Sequence, residues 1–350
     1  MNTCDDLVTV LMSVYKTDVN LLDRAVNSIL NQTYRDFEFL IVDDGADPDC
    51  VDYLERIADP RVILIHNDSN IGLAASLNKG IDIARGKYIA RMDADDYSYP
   101  NRLYEQVSYM NQHSDIDVLA CISMDIKDGK MTGGIGGAYA RFDNEDMRIE
   151  LSLAPKVFPH PTVMFRTDFL NDNNLRYDKS FIRSQDYDMW ARCSMYGKLD
   201  SLQKVLLLYN SNDEKGKGLS DKQILYSNLT KLKCLERLLP NPTEKEKDLY
   251  IHMRDTGITG TVQDNLALVD KLISINNNKD VYHPRKYRHI LYFWWGRKML
   301  YSENRRYLSE FLRKPVFILR VLGAFAERVP GYVHQRLYTK MIVRKTMKNE

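Results

Sequence analysis

Three acidic residues stand within four positions where an apolar run ends, in YIARMDADDYSYP (residues 88–100). Asp93, Asp95 and Asp96 repel one another at close range, so we expect a positive group beside them. Mg²⁺ and Mn²⁺ prefer oxygen ligands and are often held by one or two carboxylates together with substrate phosphate oxygens. The spacing of Asp93 and Asp95 therefore suits a divalent metal that binds jointly with a phosphorylated ligand.

A second acidic pair, Asp43 and Asp44, ends the apolar segment FEFLIVDDG (residues 37–45). Either acidic cluster alone could be a solvated turn, because aspartate is a common turn residue. In open parallel sheets, however, ligands bind beyond the carboxyl ends of the strands. Since both clusters follow predicted strands, we expect them to converge on one ligand-binding crevice.

The elements that must position these acids alternate between strand and helix. The sequence predicts strands at residues 7–15, 37–45, 61–67 and 87–93, with helices at 20–34 and 72–86 and a short helical stretch before the third strand. Short connections in this order favour a mostly parallel, Rossmann-like α/β sheet flanked by helices. Later segments predict strands at 117–126 and 204–209, a helix at 184–197, a flexible glycine loop at 133–137, and helices beyond residue 220.

Composition and missing motifs exclude several classes of protein. A net charge of +1 over 350 residues gives no overall bias toward nucleic acid. Five scattered cysteines without a CxxC pair indicate a reduced cytosolic protein. No secretory signal or run of ~18 apolar residues is evident. The sequence has no GxxxxGK[ST] loop and no GxGxxG after its first strand, which argues against P-loop and dinucleotide enzymes.

An ordered set of motifs carries a more specific signal. The strings SVYKTD, VDDG, NIGLAASLNKGIDIARGKYIARMDADD, HPTVMFR and SQDYDMWAR follow one another between about residues 7 and 210. Together they resemble an inverting family 2 glycosyltransferase of the GT-A fold, of the type that builds bacterial surface polysaccharides. The resemblance implies a nucleotide-sugar-binding and catalytic domain at residues 1–215 and a helical region at residues 216–350.

The resemblance also implies a donor site. Asp44 matches the position that reads the uracil edge, and a carboxylate can accept a hydrogen bond from uracil N3–H. Asp95 matches the ligand of Mn²⁺ or Mg²⁺, and Asp93 faces the ribose or the outer shell of the metal. Arg91 receives no role from the resemblance. The other positions that match the nucleotide-sugar site are Val14, Tyr15, Asp43, Asn70, Gly72, Asn78 and Ala94.

On the acceptor side, Asp186 matches the catalytic base, which would deprotonate the attacking hydroxyl. The family pair ED is QD here, so Gln185 is a departure that leaves acceptor choice open, and Asp188 is the second candidate for the base. His160 matches a position near the acceptor and the donor phosphates. The alternative for His160 is a buried, hydrogen-bonded histidine after Pro159.

A loop after the strand at 204–209 contains a second departure from the family. Relatives often carry a histidine there, whereas this chain has NSNDEKGKGLSD (residues 210–221). Lys215 and Lys217, flanked by glycines, could close over the donor diphosphate instead. A solvated loop is an equally good interpretation of this segment.

The C-terminal segment is strongly basic. Residues 283–350 contain sixteen Lys or Arg against four Glu and no Asp, a net charge of +12 that leaves −11 for the rest of the chain. Aromatic residues lie among the bases: Tyr287, Tyr292, Phe293, Trp294, Trp295, Tyr301, Tyr307 and Phe311. Basic helices with interfacial aromatics favour an anionic membrane surface over nucleic acid. The alternative is a helical subdomain that packs its aromatics inward.

The resemblance therefore implies a metal-dependent hexosyltransferase that acts by a single inverting displacement. Its donor would be a UDP-sugar and its acceptor an undecaprenyl-diphosphate-linked saccharide, in O-antigen, capsule or exopolysaccharide synthesis at the cytoplasmic face of the membrane. A sugar-nucleotide nucleotidyltransferase is an alternative, although such enzymes usually show a glycine-rich, basic N-terminal loop. A catalytically silent GT-A binding module is another, against which the intact Asp95 and Asp186 argue.

Overall fold

A computed structural model describes residues 6–137, 143–155, 158–211, 220–255, 259–300, 305–313 and 315–347. Contacts within the chain divide it into two compact units. The first unit comprises residues 1–140, 157–220 and 339–350, and the second comprises residues 141–156 and 221–338. All described strands belong to the first unit, and the described elements of the second unit are helices.

The first unit begins with the strand–helix alternation that the sequence predicts. Its parallel strands are β1 (Val8–Val14), β2 (Phe37–Asp43), β3 (Val62–His66) and β4 (Tyr88–Met92). The helices between them are α1 (Val19–Leu30), α2 (Pro48–Glu55) and α3 (Leu73–Ile83). Every residue of β2 and β4 is buried, as expected for strands of a parallel sheet that is covered on both faces.

A mixed half completes the sheet. The next elements along the chain are β5 (Tyr97–Ser98), α4 (Arg102–Gln112), β6 (Val118–Lys127), β7 (Lys130–Gly136), α5 (Asn144–Leu153), β8 (Met164–Arg166), α6 (Thr167–Asp172), α7 (Gln185–Tyr196) and β9 (Leu199–Asn210). The strand order is β3-β2-β1-β4-β8-β6-β9-β5, with β7 paired to β6. Strand β8 is antiparallel to β4, and β9 is parallel to β6. The predicted α/β class, with a mostly parallel sheet flanked by helices, is confirmed.

The glycine segment at residues 133–137 corrects the sequence analysis, which predicted a flexible loop. Residues 133–136 belong to β7, which pairs antiparallel with β6 and places Gly136 opposite Ser123. A Cβ on Gly136 would come within 2.6 Å of the ring of Pro159. Glycine is rare inside strands except where another group approaches closely. The approach of Pro159 explains the glycine at residue 136, and it cannot be seen in the sequence.

The second unit consists of helices in its described part. Besides α5, it contains α8 (Asp221–Leu238), α9 (Glu244–Ile251), α10 (Val262–Lys279), α11 (Pro284–Leu300), α12 (Arg305–Leu312) and most of α13 (Pro315–Thr346). Thr243 and Thr261 start α9 and α10 with capping boxes, which explains where these helices begin. Among the described residues, no helix combines the length and apolarity needed to cross a bilayer.

The aromatic residues of the basic C-terminal segment pack inward rather than outward. The described rings of α11 are at most 6% exposed: Tyr287, Tyr292, Phe293, Trp294 and Trp295. The Trp294 indole N–H donates to the buried Glu150 carboxylate at 3.1 Å, which satisfies the polar edge of the ring inside the core. For these rings the predicted membrane contact was wrong, because core packing buries them. Tyr301 lies outside the described residues, as does the Tyr307 side chain.

Gly86, just before β4, marks a close approach to β1. A Cβ at this position would lie 2.8 Å from both Thr9 Oγ1 and Tyr88 O, and closer still to the backbone nitrogen of Thr9. Because backbone atoms cannot move aside cheaply, we expect Gly86→Ala to lower the free energy of unfolding by about 1–3 kcal/mol. Urea denaturation followed by circular dichroism measures this change.

Gly323 in α13 provides the matched control for that substitution. A Cβ there would meet nothing within 4 Å, so Gly323→Ala adds a methyl group without a clash. Its expected effect is a gain of up to about 1 kcal/mol from helix propensity. Equal stability of the two variants would contradict the close approach at Gly86.

Candidate active site

The carboxyl ends of β1, β2 and β4 lie side by side, because β1 pairs in parallel with both neighbours. Val14 stands opposite Asp43 at the end of the β1–β2 pairing, and Asp44 N donates to Val14 O at 2.9 Å. Strand β4 ends one residue before Asp93. The structure therefore brings both acidic clusters to one edge of the sheet, where Tyr15 is 44% exposed.

Asp43 shapes the turn that follows β2. Its Oδ1 accepts hydrogen bonds from the backbone N–H groups of Gly45 at 3.1 Å and Ala46 at 2.8 Å. Its Oδ2 lies 2.8 Å from Nδ1 of His66 at the end of β3. The side chain is thus buried and engaged on both oxygens, so its predicted contact with the donor stays a prediction.

Asp44 joins two motifs that are far apart in sequence. Its Oδ1 accepts from Asn67 Nδ2 at 3.0 Å and Ile71 N at 2.8 Å, and its Oδ2 accepts from Asn70 Nδ2 and Gly72 N, both at 3.0 Å. Gly72 has a φ of 89°, which glycine adopts without strain. One buried carboxylate therefore holds the whole segment from Asn67 to Gly72.

These contacts sharpen the predicted role of Asp44 in reading uracil. A carboxylate offers about four lone-pair positions, and the four donors of residues 67–72 match that number. A uracil N3–H would have to replace one of them or share an oxygen with it. Asn70 and Gly72 are held at the site by their hydrogen bonds to Asp44. Their predicted contacts with the donor remain predictions.

Asn78 starts a hydrogen-bond chain that leads to His160. Its amide makes two bonds with the backbone of Tyr177, one to the carbonyl and one from the N–H, both at 2.8 Å. The Tyr177 hydroxyl lies 2.8 Å from His160 Nε2. Burial, and then the charge of Arg91, holds the pKa of His160 well below its usual range, so the ring is neutral at pH 7. His160 is thus half-buried and hydrogen-bonded to Tyr177, and its predicted place near the acceptor and the donor phosphates stays a prediction.

The DADD segment contains two half-buried and two buried residues. Asp93 and Asp95 are half-buried, whereas Ala94 is 6% and Asp96 0% exposed. Burial, followed by the charge of Asp93, raises the pKa of Asp95 to about 6. Burial and the charges of Asp93 and Asp95 hold the pKa of Asp96 well above its usual range. The acids repel one another as the sequence predicts, and this repulsion together with burial favours the protonated form of Asp96.

Asp96 connects the DADD segment to the end of β9 by a hydrogen bond. Its Oδ1 accepts from Asn210 N at 2.7 Å, while its Oδ2 is buried without a hydrogen-bond partner in the described part of the chain. The Asn210 side-chain amide lies 3.5 Å from Asp95 Oδ2. Strand β9 therefore ends beside the acidic cluster. The predicted Lys215 and Lys217 come shortly after and lie outside the described residues.

Three arginines supply the positive charge that the acids require. Arg91 is 2% exposed and forms a salt bridge with Asp93. Arg24 Nη2 donates to Asp95 O at 3.1 Å, and the buried Arg102 donates to Arg91 O at 2.8 Å. The family resemblance assigned no role to Arg91. The signal in the sequence was a basic residue inside an otherwise apolar strand, directly before the acids.

Asp186 lies in the first turn of α7, where the helix dipole favours a negative charge. Ser184, the residue before the helix, has a φ of 55°, an uncommon left-handed conformation for a residue other than glycine. Burial raises the pKa of Asp186, Arg91 opposes that shift and Asp93 adds to it. Asp186 therefore belongs to the same electrostatic cluster as Arg91 and Asp93, although 93 residues separate it from Asp93 in sequence.

The neighbours of Asp186 differ from it in their contacts. Gln185 is half-buried at the first position of α7. Asp188 is 1% exposed, and its Oδ2 accepts from Arg192 Nε at 2.8 Å one turn along the helix. Asp186 Oδ1, by contrast, accepts from the adjacent Tyr187 N at 2.8 Å and the side chain is half-buried. Geometry thus favours Asp186 over Asp188 as a base that must reach a substrate.

The acids fit a divalent metal that is completed by substrate oxygens. The described residues contain no group of three or more His, Cys, Asp or Glu that could hold a metal ion alone. Mg²⁺ and similar ions are commonly held by one or two carboxylates plus phosphate oxygens. Asp93 and Asp95 offer such a pair, and the charge of Asp93 raises the Asp95 pKa, a repulsion that a cation would relieve.

Comparison with known proteins gives a consistent result. The family described as "Glycosyl transferase family 2" matches residues 9–172. An uncharacterised glycosyltransferase of Methanocaldococcus jannaschii is 36% identical over 235 residues, 64% of this chain and 78% of that protein. The O-antigen biosynthesis glycosyltransferase WbnJ of Escherichia coli is 31% identical over 220 residues, 60% of this chain and 81% of WbnJ.

Two further similarities concern a shorter segment and the fold. A UDP-Glc:alpha-D-GlcNAc-diphosphoundecaprenol beta-1,3-glucosyltransferase of Escherichia coli, WfaP, is 34% identical over 105 residues, 30% of this chain and 41% of WfaP. The crystal structure of S. aureus TarS residues 1–349 in complex with UDP-GlcNAc superimposes with a TM-score of 0.56 at 16% identity, covering 83% of this chain and 88% of that 1–349 chain. At that identity the likeness to TarS concerns the fold.

Proposed function

Because the chain belongs to glycosyl transferase family 2, we propose that it moves a hexose from a UDP-sugar to a hydroxyl of a lipid-linked saccharide, with inversion at the anomeric carbon. The observation that carries this proposal is the electrostatic cluster of the first unit. In this cluster, the charges of Arg91 and Asp93 both shift the pKa of Asp186. The proposed base, Asp186, and the acidic segment proposed to bind the donor are therefore close enough to interact electrostatically.

The inverting mechanism that we propose needs one base, and Asp186 would supply it. In a single in-line displacement, the acceptor hydroxyl attacks the anomeric carbon while a carboxylate takes its proton. Burial raises the pKa of Asp186, which makes its carboxylate a stronger base than a solvated aspartate. His160 is neutral and bonded to Tyr177, so it can orient substrate without adding charge. A displacement with one base and no covalent intermediate inverts the anomeric centre.

The donor site would be formed by the ends of β1, β2 and β4. Asp95, with Asp93 beside it, would hold Mn²⁺ or Mg²⁺, and the bound metal would offset the charge of the departing diphosphate. Arg91 and Arg24 hold this acidic segment in place. Tyr15 is 44% exposed at the same edge and can pack against the uracil ring. The uracil N3–H would donate a hydrogen bond to Asp44.

The names of two relatives are the basis for the acceptor that we propose. WbnJ carries O-antigen biosynthesis in its name, and the name of WfaP specifies a UDP-sugar donor and an undecaprenol-linked acceptor. We therefore infer an undecaprenyl-diphosphate-linked saccharide as the acceptor, as in O-antigen, capsule or exopolysaccharide assembly. An enzyme that extends such an acceptor would work at the cytoplasmic face of the cell membrane, as a peripheral protein.

A panel of nucleotide sugars tests the proposal. The purified protein would be incubated with UDP-, GDP- and dTDP-sugars in Mn²⁺, Mg²⁺ or EDTA, and the released nucleoside diphosphate would be measured. We expect release from one UDP-sugar with metal and none in EDTA. In Asp95→Ala, we expect the release to disappear and the affinity for UDP with Mn²⁺ to fall at least about 10-fold, since even outer-shell changes have this effect.

A surface aspartate separates this effect from a general loss of acidic charge. Asp52 lies in α2, 66% exposed, in a salt bridge with Arg56, the residue that follows the helix. Asp52→Ala should leave release and UDP affinity within twofold of the parent. Release that persists in EDTA, or an Asp95→Ala protein that binds UDP and Mn²⁺ normally, would refute the metal role.

A further inference from the structure

Helix α13 is apolar on two opposite faces. Its inner face packs into the core of the helical unit through Val321 and Ala324, which are 2% and 0% exposed, with Phe325 partly buried beside them. Arg328 on the same face donates to Asp146 at 2.6 Å. Packing and an ion pair therefore account for the inner face, and the outer face requires another explanation.

The outer face of α13 carries an unbroken apolar stripe. Between residues 316 and 337, exposed apolar residues recur at intervals of three or four: Val316, Leu319, Leu322, Ala326, Pro330, Val333 and Leu337. These intervals keep them on one side of a helix over about 32 Å. The five largest, excluding Ala326 and Pro330, are 52–70% exposed. Contiguous exposed apolar surface of this extent is typical of an interaction site.

Exposed cations lie at both ends of the stripe. Arg313 precedes it, and Lys340, Arg344 and Lys345 follow it along α13. The acidic residue of this helix, Glu327, forms a salt bridge with α11 at 3.1 Å. The segment from residue 283 to 350 carries a net charge of +12. The surface therefore combines an apolar strip with positive ends, the composition of helices that lie in a membrane interface.

We propose that this outer face of α13 docks the protein on an anionic phospholipid bilayer, with the helix in the plane of the interface. The stripe would enter the acyl boundary while Arg313, Lys340, Arg344 and Lys345 bind lipid phosphates. A second copy of the chain fits less well, because pairing two stripes would bring basic ends together, while the acid of α13, Glu327, is already paired with Arg285. The inference deepens the proposed function and rests on it in one respect: a lipid-linked acceptor is held at a bilayer.

Vesicle flotation with the full chain tests the surface. The protein would be mixed with vesicles of phosphatidylcholine alone or with 30% phosphatidylglycerol, and the floating fraction measured. We expect flotation with the anionic vesicles and little with the neutral ones. Leu319→Glu combined with Leu337→Glu should lower binding at least about 10-fold, because a buried leucine side chain alone contributes about that factor.

The matched control changes the same charge on another exposed apolar site. Leu225 and Leu229 on α8 are 55% and 39% exposed, and their double change to Glu should leave flotation within twofold of the parent. UDP-sugar hydrolysis in solution should be equal in all three proteins, which shows that each is folded. It also separates the two proposals, since absence of hydrolysis in every protein would count against the function and not against the docking surface.

Three results would overturn the docking surface. The parent could stay off anionic vesicles, or the α13 double variant could float as well as the parent. Light scattering could also show a dimer that the α13 variant alone dissolves, which would assign the stripe to a second copy. Flotation that is lost in the α13 variant and kept in the α8 variant supports the bilayer.

Discussion

Asp186→Asn should lower kcat by about 10²–10⁴-fold while the affinity for UDP and Mn²⁺ stays within twofold of the parent. Asparagine keeps the size of the side chain and can still accept the hydrogen bond from Tyr187 N that Asp186 Oδ1 accepts at 2.8 Å. It cannot take a proton from the acceptor hydroxyl. The loss should therefore appear in turnover and leave donor binding intact, as measured by initial rates and by calorimetry.

Asp188→Asn is the informative comparison, because Asp188 was the second candidate for the base. Its buried carboxylate is paired with Arg192 at 2.8 Å, so the change should reduce stability and affect turnover less than Asp186→Asn. The pH profile gives a second readout. Since burial raises the Asp186 pKa, activity should fall on acidification at a pH above the ordinary aspartate value of 3.8. Full turnover in Asp186→Asn would exclude it as the base.

Arg91→Met should lower the free energy of unfolding by about 3 kcal/mol at pH 7.5 in EDTA. Removing one partner of a buried ion pair leaves the other charge without compensation, and Arg91 is 2% exposed. We take the lower end of the usual range because the Asp93 side chain is 28% exposed. Urea unfolding of the metal-free protein measures the change.

The deficit of Arg91→Met should shrink as the pH falls. The pKa of Asp95 is about 6 against 3.8 in the unfolded chain, so the folded protein binds more protons between these values and loses stability as pH rises through them. Arg91 lowers the pKa of Asp95, Asp96 and Asp186, and its removal would raise each further. Stability of the variant should thus fall more steeply between pH 5 and 7.5.

Arg56→Met is the control for the loss of an arginine ion pair. Arg56 pairs with Asp52 at 3.7 Å, and the two side chains are 77% and 66% exposed. An exposed pair contributes little, so the expected cost is below about 1 kcal/mol and without the same pH dependence. Equal losses in Arg56→Met and Arg91→Met would contradict a central charge at Arg91.

Much of the site was predictable because its acids stand at the ends of strongly patterned elements. Asp43, Asp44 and Asp93 follow apolar runs, and parallel strands bring such ends to one edge. The role of Arg91 was only partly predictable. A basic residue in an apolar strand before the acids marked the position, but a sequence does not show that this side chain is 2% exposed. Its burial depends on the pairing of β4 with β1 and β8, which are distant along the chain.

The C-terminal segment shows a different limit. Composition indicated a basic, aromatic-rich helical region, and both features are present. Which face points outward depends on packing, however, and the rings of Trp294 and Trp295 enter the core. The exposed apolar residues are instead the smaller Leu319 and Leu337, which look like ordinary core positions in the sequence. Composition alone therefore pointed to the wrong residues of this segment.

The four hydrogen bonds to Asp44 have a consequence for how a nucleotide would be captured. The backbone from Asn67 to Gly72 is already fixed by the carboxylate in the free protein. The conformational entropy of this segment is lost when the protein folds. A ligand that contacts the segment therefore has to order little further backbone on binding. Rapid, lock-and-key association of the nucleotide would follow, with selectivity among bases set by which one can exchange a hydrogen bond with Asp44.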